Sequence, residues 1–356
     1  MSKDISFDHV KISGFSSVVG NDEICIDDEL CYYENQEQLN RLKKTIGFNK
    51  RRVVKGNITT ADMCVQATNL LLDKMNLSPQ DFDAVVSVTQ TPDYYMPGNA
   101  HVVHKALHFS QNCIAFDLEF GCSGFIYGLF FSYTLVNSGF QRVLLLTGDT
   151  LSKIINIKNR ADAPIFGDAG CATVIERTSE KTPSHFVLYS DGTGLETMWK
   201  QAGAYRLPSS DETRKERTDD NGNVSSLENF YMNGFDVFNF TMTEQPKCLK
   251  HILEYSQKNI QDIDFYVMHQ ANRYIIQTIT KKAKIPLEKT PFKAFEDFGN
   301  QSSASIPTTV CYELAEKCAN SKKQVVFQGF GIGLSWGACQ LELNNPAILK
   351  PVVYGG

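Results

Sequence analysis

The stretch FDLEFGCSGFIYGLFF, residues 116–131, sets Cys122 between a short apolar run and a glycine-flanked helix start. A structural cysteine needs no such setting, whereas a nucleophile does. At a strand-to-helix turn the unpaired N–H groups and positive dipole end of the helix favour a thiolate over a thiol. That makes Cys122 usable for covalent catalysis. Further along, VMHQAN places His269 at the polar end of an apolar run, and DFGNQSSASIP places Asn300 in a turn beside glycine. Both side chains can donate hydrogen bonds to negative charge on oxygen. Each has an ordinary alternative when taken singly, because a free cysteine is most often a buried, inert thiol. Their joint placement at the ends of similar segments is what gives them weight.

Those segments recur. RVLLLTGD (142–149) reads as a buried strand and is followed by FGDAGCATVIE (166–176), a glycine-rich turn and a second strand. KQVVFQGFGIG (323–333) and LSWGACQLEL (334–343) repeat that order. Each pair follows a glycine-containing turn and a helix, GCSGFIYGLFFSYTLVNSG in one case and GNQSSASIPTTVCYELAEKC in the other. A third echo sets FDAVVSVTQTP (82–92) against IDFYVMHQAN (263–272). Three echoes in one order predict duplication of an α/β half, with halves at 1–178 and 179–356. The polar stretch PSSDETRKERTDDNGNVSS (208–226) reads as an exposed, mobile loop.

Composition bounds the rest. The 356 residues, 42% hydrophobic and 21% charged, suffice for a large core. A net charge of -5 gives no overall reason to expect nucleic acid as partner. The start MSKDISFDHVKISGF lacks the apolar core of a signal peptide, and no apolar segment is long enough to span a bilayer, so a cytoplasmic protein with no membrane partner is expected. Ten cysteines without a C-x-x-C pair fit neither a zinc ribbon nor a disulfide scaffold. His101, His104 and His108 in HVVHKALH lie near one helix face, but no nearby carboxylate or thiol completes a metal set, and no metal site is expected.

The segments GCSGFIYGL, HQAN, FGNQSSASIP and GFGIGLSWGA resemble the hallmark segments of β-ketoacyl-acyl carrier protein synthase III, a branch of the thiolase-fold condensing enzymes. The resemblance runs from KISGFSSV (11–18) almost to the C-terminus, with four motifs in order. It implies an α/β, thiolase-like, five-layered αβαβα fold built from two duplicated halves, and a homodimer. It also implies a decarboxylating Claisen condensation in which Cys122 takes an acyl primer, His269 and Asn300 stabilise the enolate from a malonyl thioester, and the backbone N–H groups of Cys122 and Ile332 form an oxyanion hole. The isoleucine of GFGIGL stands where the family has glycine. Coenzyme A or acyl carrier protein thioesters are the implied substrates, with no other cofactor.

Further roles follow from the same resemblance. Arg160 and Asn272 are implied in substrate binding. Met96, before the second proline of TPDYYMP, is implied to reach the partner's acyl pocket. Arg273, Lys281 and Lys282 are implied to dock acyl carrier protein, with Tyr274 where an arginine is usual; an ordinary solvated helix face is the alternative. Arg41 falls where the family has the tryptophan that stacks on adenine, which predicts a weaker hold on coenzyme A. A thiolase-fold acyltransferase that delivers an acyl group to an amine or hydroxyl is the alternative function. A papain-like peptidase shares the Cys, His, Asn order but not the local C-G-S-C-W signature, and the complete triad argues against a non-catalytic scaffold.

Overall fold

In the computed structural model, which describes residues 3–33 and 35–355, the apolar runs fold as strands and the longer periodic segments as helices. The first half supplies β1 (Lys3–Phe7), β2 (Val10–Val19), α1 (Thr60–Met75), β3 (Ala84–Val88), α2 (Asn99–Ala106), β4 (Ile114–Leu118), α3 (Gly124–Asn137), β5 (Arg142–Asp149) and β6 (Ala169–Arg177). The second half supplies β7 (Ser184–Ser190), α4 (Gly234–Tyr255), β8 (Phe265–Met268), α5 (Arg273–Lys282), α6 (Ser305–Thr309), β9 (Lys322–Gly331), β10 (Ser335–Asn344), β11 (Ala347–Ile348) and β12 (Val352–Val353). Helix α6 continues through a π-helical turn to Cys318.

Two sheets result. One has the order β11-β2-β6-β5-β3-β4, with β12 also on β2; the other has the order β1-β7-β10-β9-β8. The echoes in the sequence correspond to a shared topology. β3 runs parallel to β5, β5 antiparallel to β6 and β6 antiparallel to β2. In the second sheet β8 runs parallel to β9, β9 antiparallel to β10 and β10 antiparallel to β7. The halves also exchange their ends. β1 pairs with β7 of the second sheet, and β11 and β12 lie parallel to β2 of the first, so neither 1–178 nor 179–356 completes a sheet by itself.

Strand side chains alternate between faces, and both faces of each sheet are covered, which is why the strands read as continuous apolar runs. Val85, Leu144, Leu146 and Val174 face out of the first sheet onto Met63, Leu71 and Val103 of α1 and α2. Their neighbours Val86, Leu145 and Ile175 face inward, onto Phe125, Leu129 and Tyr133 of α3 and onto Ile306 at the start of α6. Val267, Val325 and Phe327 of the second sheet close this central layer from the other side. Tyr266, Met268 and Val326 face out, onto Leu249 and Ile252 of α4 and Ile276 and Ile279 of α5. The layers are therefore helix, sheet, helix, sheet, helix, the thiolase arrangement. Helix α3 is apolar nearly all round because it is sandwiched between two sheets.

Segment 208–226 is largely exposed, as its sequence predicts, but it is locally ordered. It carries a one-turn helix, Asp211–Arg214, capped by Ser210, and pairs Arg217–Thr218 with Val224–Ser225. Local side-chain bonds supply that order: Asp219 accepts from the backbone N–H groups of Asn221 (2.9 Å) and Asn223 (2.8 Å). Composition alone does not reveal such bonds. Among the described residues, no helix is long and apolar enough to cross a membrane.

Candidate active site

Cys122 lies in the turn between β4 and α3, directly ahead of the first residues of the helix. The second half of the chain comes up against it. A Cβ added at Gly329 would stand 3.0 Å from the Ser123 Cα, and one added at Gly331 would stand 2.6 Å from the Cys122 Cβ. Only glycine lets β9 approach the Cys122 turn this closely. The thiolate expected from the helix terminus is not what the setting favours. Burial pushes the Cys122 thiol up to about 12, opposed by the Ser302 hydroxyl and reinforced by the buried Asp149 carboxylate. Sγ lies 3.9 Å from Ser302 Oγ. Although Cys122 is partly exposed to the cavity, the cost of taking charge out of water exceeds what one helix end returns.

His269 follows β8, and its N–H continues the strand pairing by donating to the Gln328 carbonyl at 2.8 Å. The side chain is 2% exposed, and its Nδ1 lies 2.7 Å from the Ser305 hydroxyl. Burial drives its pKa down to about 3, against a backbone hydrogen bond at Ser302. The ring is therefore neutral at ordinary pH. Asn300 sits between α5 and α6, its N–H donating to the Ile165 carbonyl (2.8 Å) and its carbonyl accepting from the Gly167 N–H (3.0 Å). Gly299 before it has φ 78° and ψ −173°, and an added Cβ would lie 2.9 Å from the Ile165 oxygen. Asn300 Oδ1 accepts from the Ser302 N–H at 3.0 Å, which leaves Nδ2 as the side-chain donor.

All three side chains line one cavity of about 320 Å3, together with Ser302, Gly331 and Ile332. Leu151, Phe166, Met198, Phe230, Val237 and Phe238 make most of its remaining wall apolar. The arrangement offers a soft nucleophile, two neutral donors and a dry channel. That combination suits acyl transfer through an oxyanion.

Profiles of the 3-oxoacyl-[acyl-carrier-protein (ACP)] synthase III family match residues 116–192, and those of its C-terminal region match residues 253–343. A Campylobacter jejuni protein, provisionally named 3-oxoacyl-[acyl-carrier-protein] synthase 3, is 38% identical over 350 residues, 98% of each chain. The chain belongs to the 3-oxoacyl-[acyl-carrier-protein] synthase III family. The β-ketoacyl-[acyl-carrier-protein] synthase III of Natranaerobius thermophilus is 34% identical over 302 residues, covering 83% of this chain and 88% of that one. Among solved structures, the 3-oxoacyl-(acyl-carrier protein) synthase of Burkholderia xenovorans superposes with a TM-score of 0.93 over 99% of both chains, at 29% identity. The family is one of condensing transferases.

Residues outside the triad scatter more widely around this synthase III site. Asn272 lines the cavity, and as N-cap of α5 it spends Oδ1 on the Ile275 N–H at 2.8 Å. Arg160 is not in the cavity lining; its guanidinium donates to the Asn221 carbonyl. Arg41 is exposed on the helix Gln36–Ile46, whose last residue, Ile46, reaches the cavity. Met96 is 73% exposed and lies outside the cavity of its own chain. On α5, Arg273 pairs with Glu296 (2.7 Å) and donates to the Lys44 carbonyl (2.5 Å), so its guanidinium is occupied within the chain. Lys282 donates to the Met242 carbonyl at 3.2 Å, and Lys281 is exposed. Tyr274 stacks on Phe238 with centroids 5.9 Å apart.

Several groups that support the site were not singled out in the sequence. Asp149, at the end of β5, accepts from the Gln90 N–H (2.8 Å) and from the hydroxyls of Thr89 (3.1 Å) and Ser303 (3.1 Å). It thereby ties the strand ends of the first half to the Asn300 loop. A buried ion pair, Arg51 with Glu29 at 2.5 Å, lies beneath that loop, with the Arg51 Cβ packed against Gly299. The serine-rich motif QSSAS was the available signal for the serines, but no pattern marked their partners. No group of three or more side chains able to hold a metal occurs among the described residues. His104 instead bonds the Ser110 carbonyl at 3.0 Å.

Proposed function

We propose that the protein is a decarboxylating condensing enzyme that joins an acyl primer held on Cys122 to a malonyl unit on acyl carrier protein. The observation that carries this reading is the convergence of Cys122 from one half with His269 and Asn300 from the other on a single, mostly apolar cavity. In the first step the Cys122 sulfur displaces the thiol of the primer thioester; the released thiol takes the proton that the cysteine loses. The oxyanion is met by the backbone N–H groups of Cys122 and Ile332. In the second step a malonyl thioester loses CO2, and its enolate oxygen accepts from Asn300 Nδ2 and from His269 Nε2. The role of His269 needs the tautomer with hydrogen on Nε2, in which the Ser305 hydroxyl, 2.7 Å from His269 Nδ1, donates to that nitrogen while its oxygen takes the Gln270 N–H (3.3 Å). The enolate carbon attacks the acyl-enzyme, and Cys122 leaves and regains a proton from solvent. The reaction needs no group beyond the two thioesters.

A homodimer belongs to this reading. β4, the strand that delivers Cys122, is an edge strand with Ile114 44% exposed, and the nearby loop exposes Tyr94, Tyr95 and Met96. Exposed apolar side chains on an open edge suit a second copy of the chain, whose pocket Met96 would then reach. The exposed Arg41 offers no ring to adenine, and stacking of this kind is worth roughly 1–3 kcal/mol. Primers are therefore expected to reach Cys122 at least as fast from acyl carrier protein as from coenzyme A, as second-order acylation rates with one acyl chain on each carrier will show.

The central test is direct. Intact-protein mass spectrometry after incubation with acyl thioesters should show one acyl adduct, absent in Cys122→Ala. Addition of malonyl-acyl carrier protein should then discharge it with release of CO2. Discharge onto an amine or hydroxyl without CO2 would replace condensation by simple acyl transfer, and an adduct that persisted on Cys122→Ala would remove the assignment altogether.

A further inference from the structure

Asp162 is a carboxylic acid in the wall of an apolar cavity, and nothing in the chemistry above uses it. The loop that carries it is organised by Asn159. The Asn159 carbonyl accepts from the N–H groups of Asp162 (3.2 Å) and Ala163 (2.9 Å), and its Oδ1 accepts from that of Ala161 (3.1 Å). Its Nδ2 donates to Asp162 Oδ2 at 2.9 Å. The carboxyl is thus held in one orientation at 4% exposure, while Oδ1 has no hydrogen-bond partner among the described residues. Among the described residues no cation is paired with it. With Oδ2 given to Asn159, Oδ1 is the carboxyl atom left for a group that enters the cavity.

We propose that Asp162 is a substrate-binding residue whose Oδ1 bonds an amide of the extended arm that joins the thioester sulfur to its carrier. The proposal rests on the reading of the cavity as a thioester site. An amide suits this position because it presents both an N–H and a carbonyl. Burial pushes the Asp162 carboxyl up to about 7, so near neutral pH it is an acceptor in one fraction of molecules and a donor in the other. The amide satisfies either form, by its N–H or by its carbonyl. Asn272, also in the lining, keeps its Nδ2 for a second carbonyl after its Oδ1 has gone to Ile275. Together they give an otherwise apolar channel polar groups matched to a chain that carries amides.

The test compares donors with and without amides. Wild type, Asp162→Ala and Asp162→Asn are acylated with an acyl-pantetheine and with the ethanethiol thioester of the same acid, and acylation of Cys122 is followed by mass. Asp162→Ala should raise the KM for acyl-pantetheine about tenfold, the worth of one good hydrogen bond, with kcat unchanged. The ethanethiol ester should react within about twofold of wild type. Asp162→Asn keeps the bond from Asn159 through its oxygen and turns its Nδ2 donor to the carbonyl of the amide, so it should recover most of the loss. Equal losses with both donors would show that Asp162 only shapes the loop, and no loss with either would remove it from the site; both outcomes overturn the proposal. Thermal unfolding of each variant separates these results from failure to fold. A wild type that accepts neither donor would instead overturn the thioester reading itself, and the proposal with it.

Discussion

A thiol pushed up to about 12 beside an imidazole held at about 3 determines how the nucleophile responds to pH. Cys122 is a neutral thiol throughout the working range and His269 a neutral ring, so the thiolate fraction grows with pH up to the thiol pKa. Alkylation of Cys122 by iodoacetamide should rise about tenfold per pH unit from about 7 to about 9 without levelling, following the thiolate fraction. A plateau near pH 7 would reveal a thiolate–imidazolium pair instead. His269→Ala and Asn300→Ala should each slow CO2 release from malonyl-acyl carrier protein by about 100- to 1000-fold, the usual cost of one oxyanion donor. Acylation of Cys122 should suffer less, because the enolate forms only afterwards; equal losses in the two half-reactions would reassign both residues. The three residues that share the cavity were legible as candidates because each stands in a glycine-bounded turn or at a strand end where no packing argument asks for it. Asp162 and Asp149 were not legible. An isolated aspartate in a loop reads as solvated, and only the folded chain removes the water around it.

At the scale of elements, the strands and helices were readable from their apolar runs, and the echoes between the halves correspond to strand pairs of the same sense. The contacts between elements were not readable. Arg273 reaches the helix Gln36–Ile46, where it donates to the Lys43 (3.3 Å) and Lys44 (2.5 Å) carbonyls of the last turn. A basic side chain near carbonyls at a helix end gains from the dipole, and no spacing in the sequence shows that a second helix lies within reach. Gly299 is the hinge of the Asn300 turn, with φ 78° in a region open to glycine and the Ile165 oxygen where a Cβ would stand. Gly299→Ala should cost about 1–3 kcal/mol in stability and lower kcat by about a hundredfold through displacement of Asn300. Denaturant titration and condensation rates measure the two effects; a fully active alanine variant would mean that the turn relaxes without moving the amide.

For the whole molecule, the open edge at β4 is where the proposed dimer is to be tested. Burial of one isoleucine side chain is worth about 1.5–3 kcal/mol, so Ile114→Lys should weaken a dimer by about tenfold or more. Light scattering over a dilution series reads this directly, and an unchanged molecular weight would place the interface elsewhere. The internal duplication was visible in the sequence, but the exchange of chain ends was not, because β11 and β12 are only two residues each. That exchange governs how the protein is made. β2 ends at Val19, yet two of its neighbours, β11 and β12, begin only at Ala347 and Val352. At about 5–20 residues per second of translation, that flank of β2 waits tens of seconds for them. Until those segments are made the nascent chain carries an uncovered sheet edge, and β11 and β12 are what seal it.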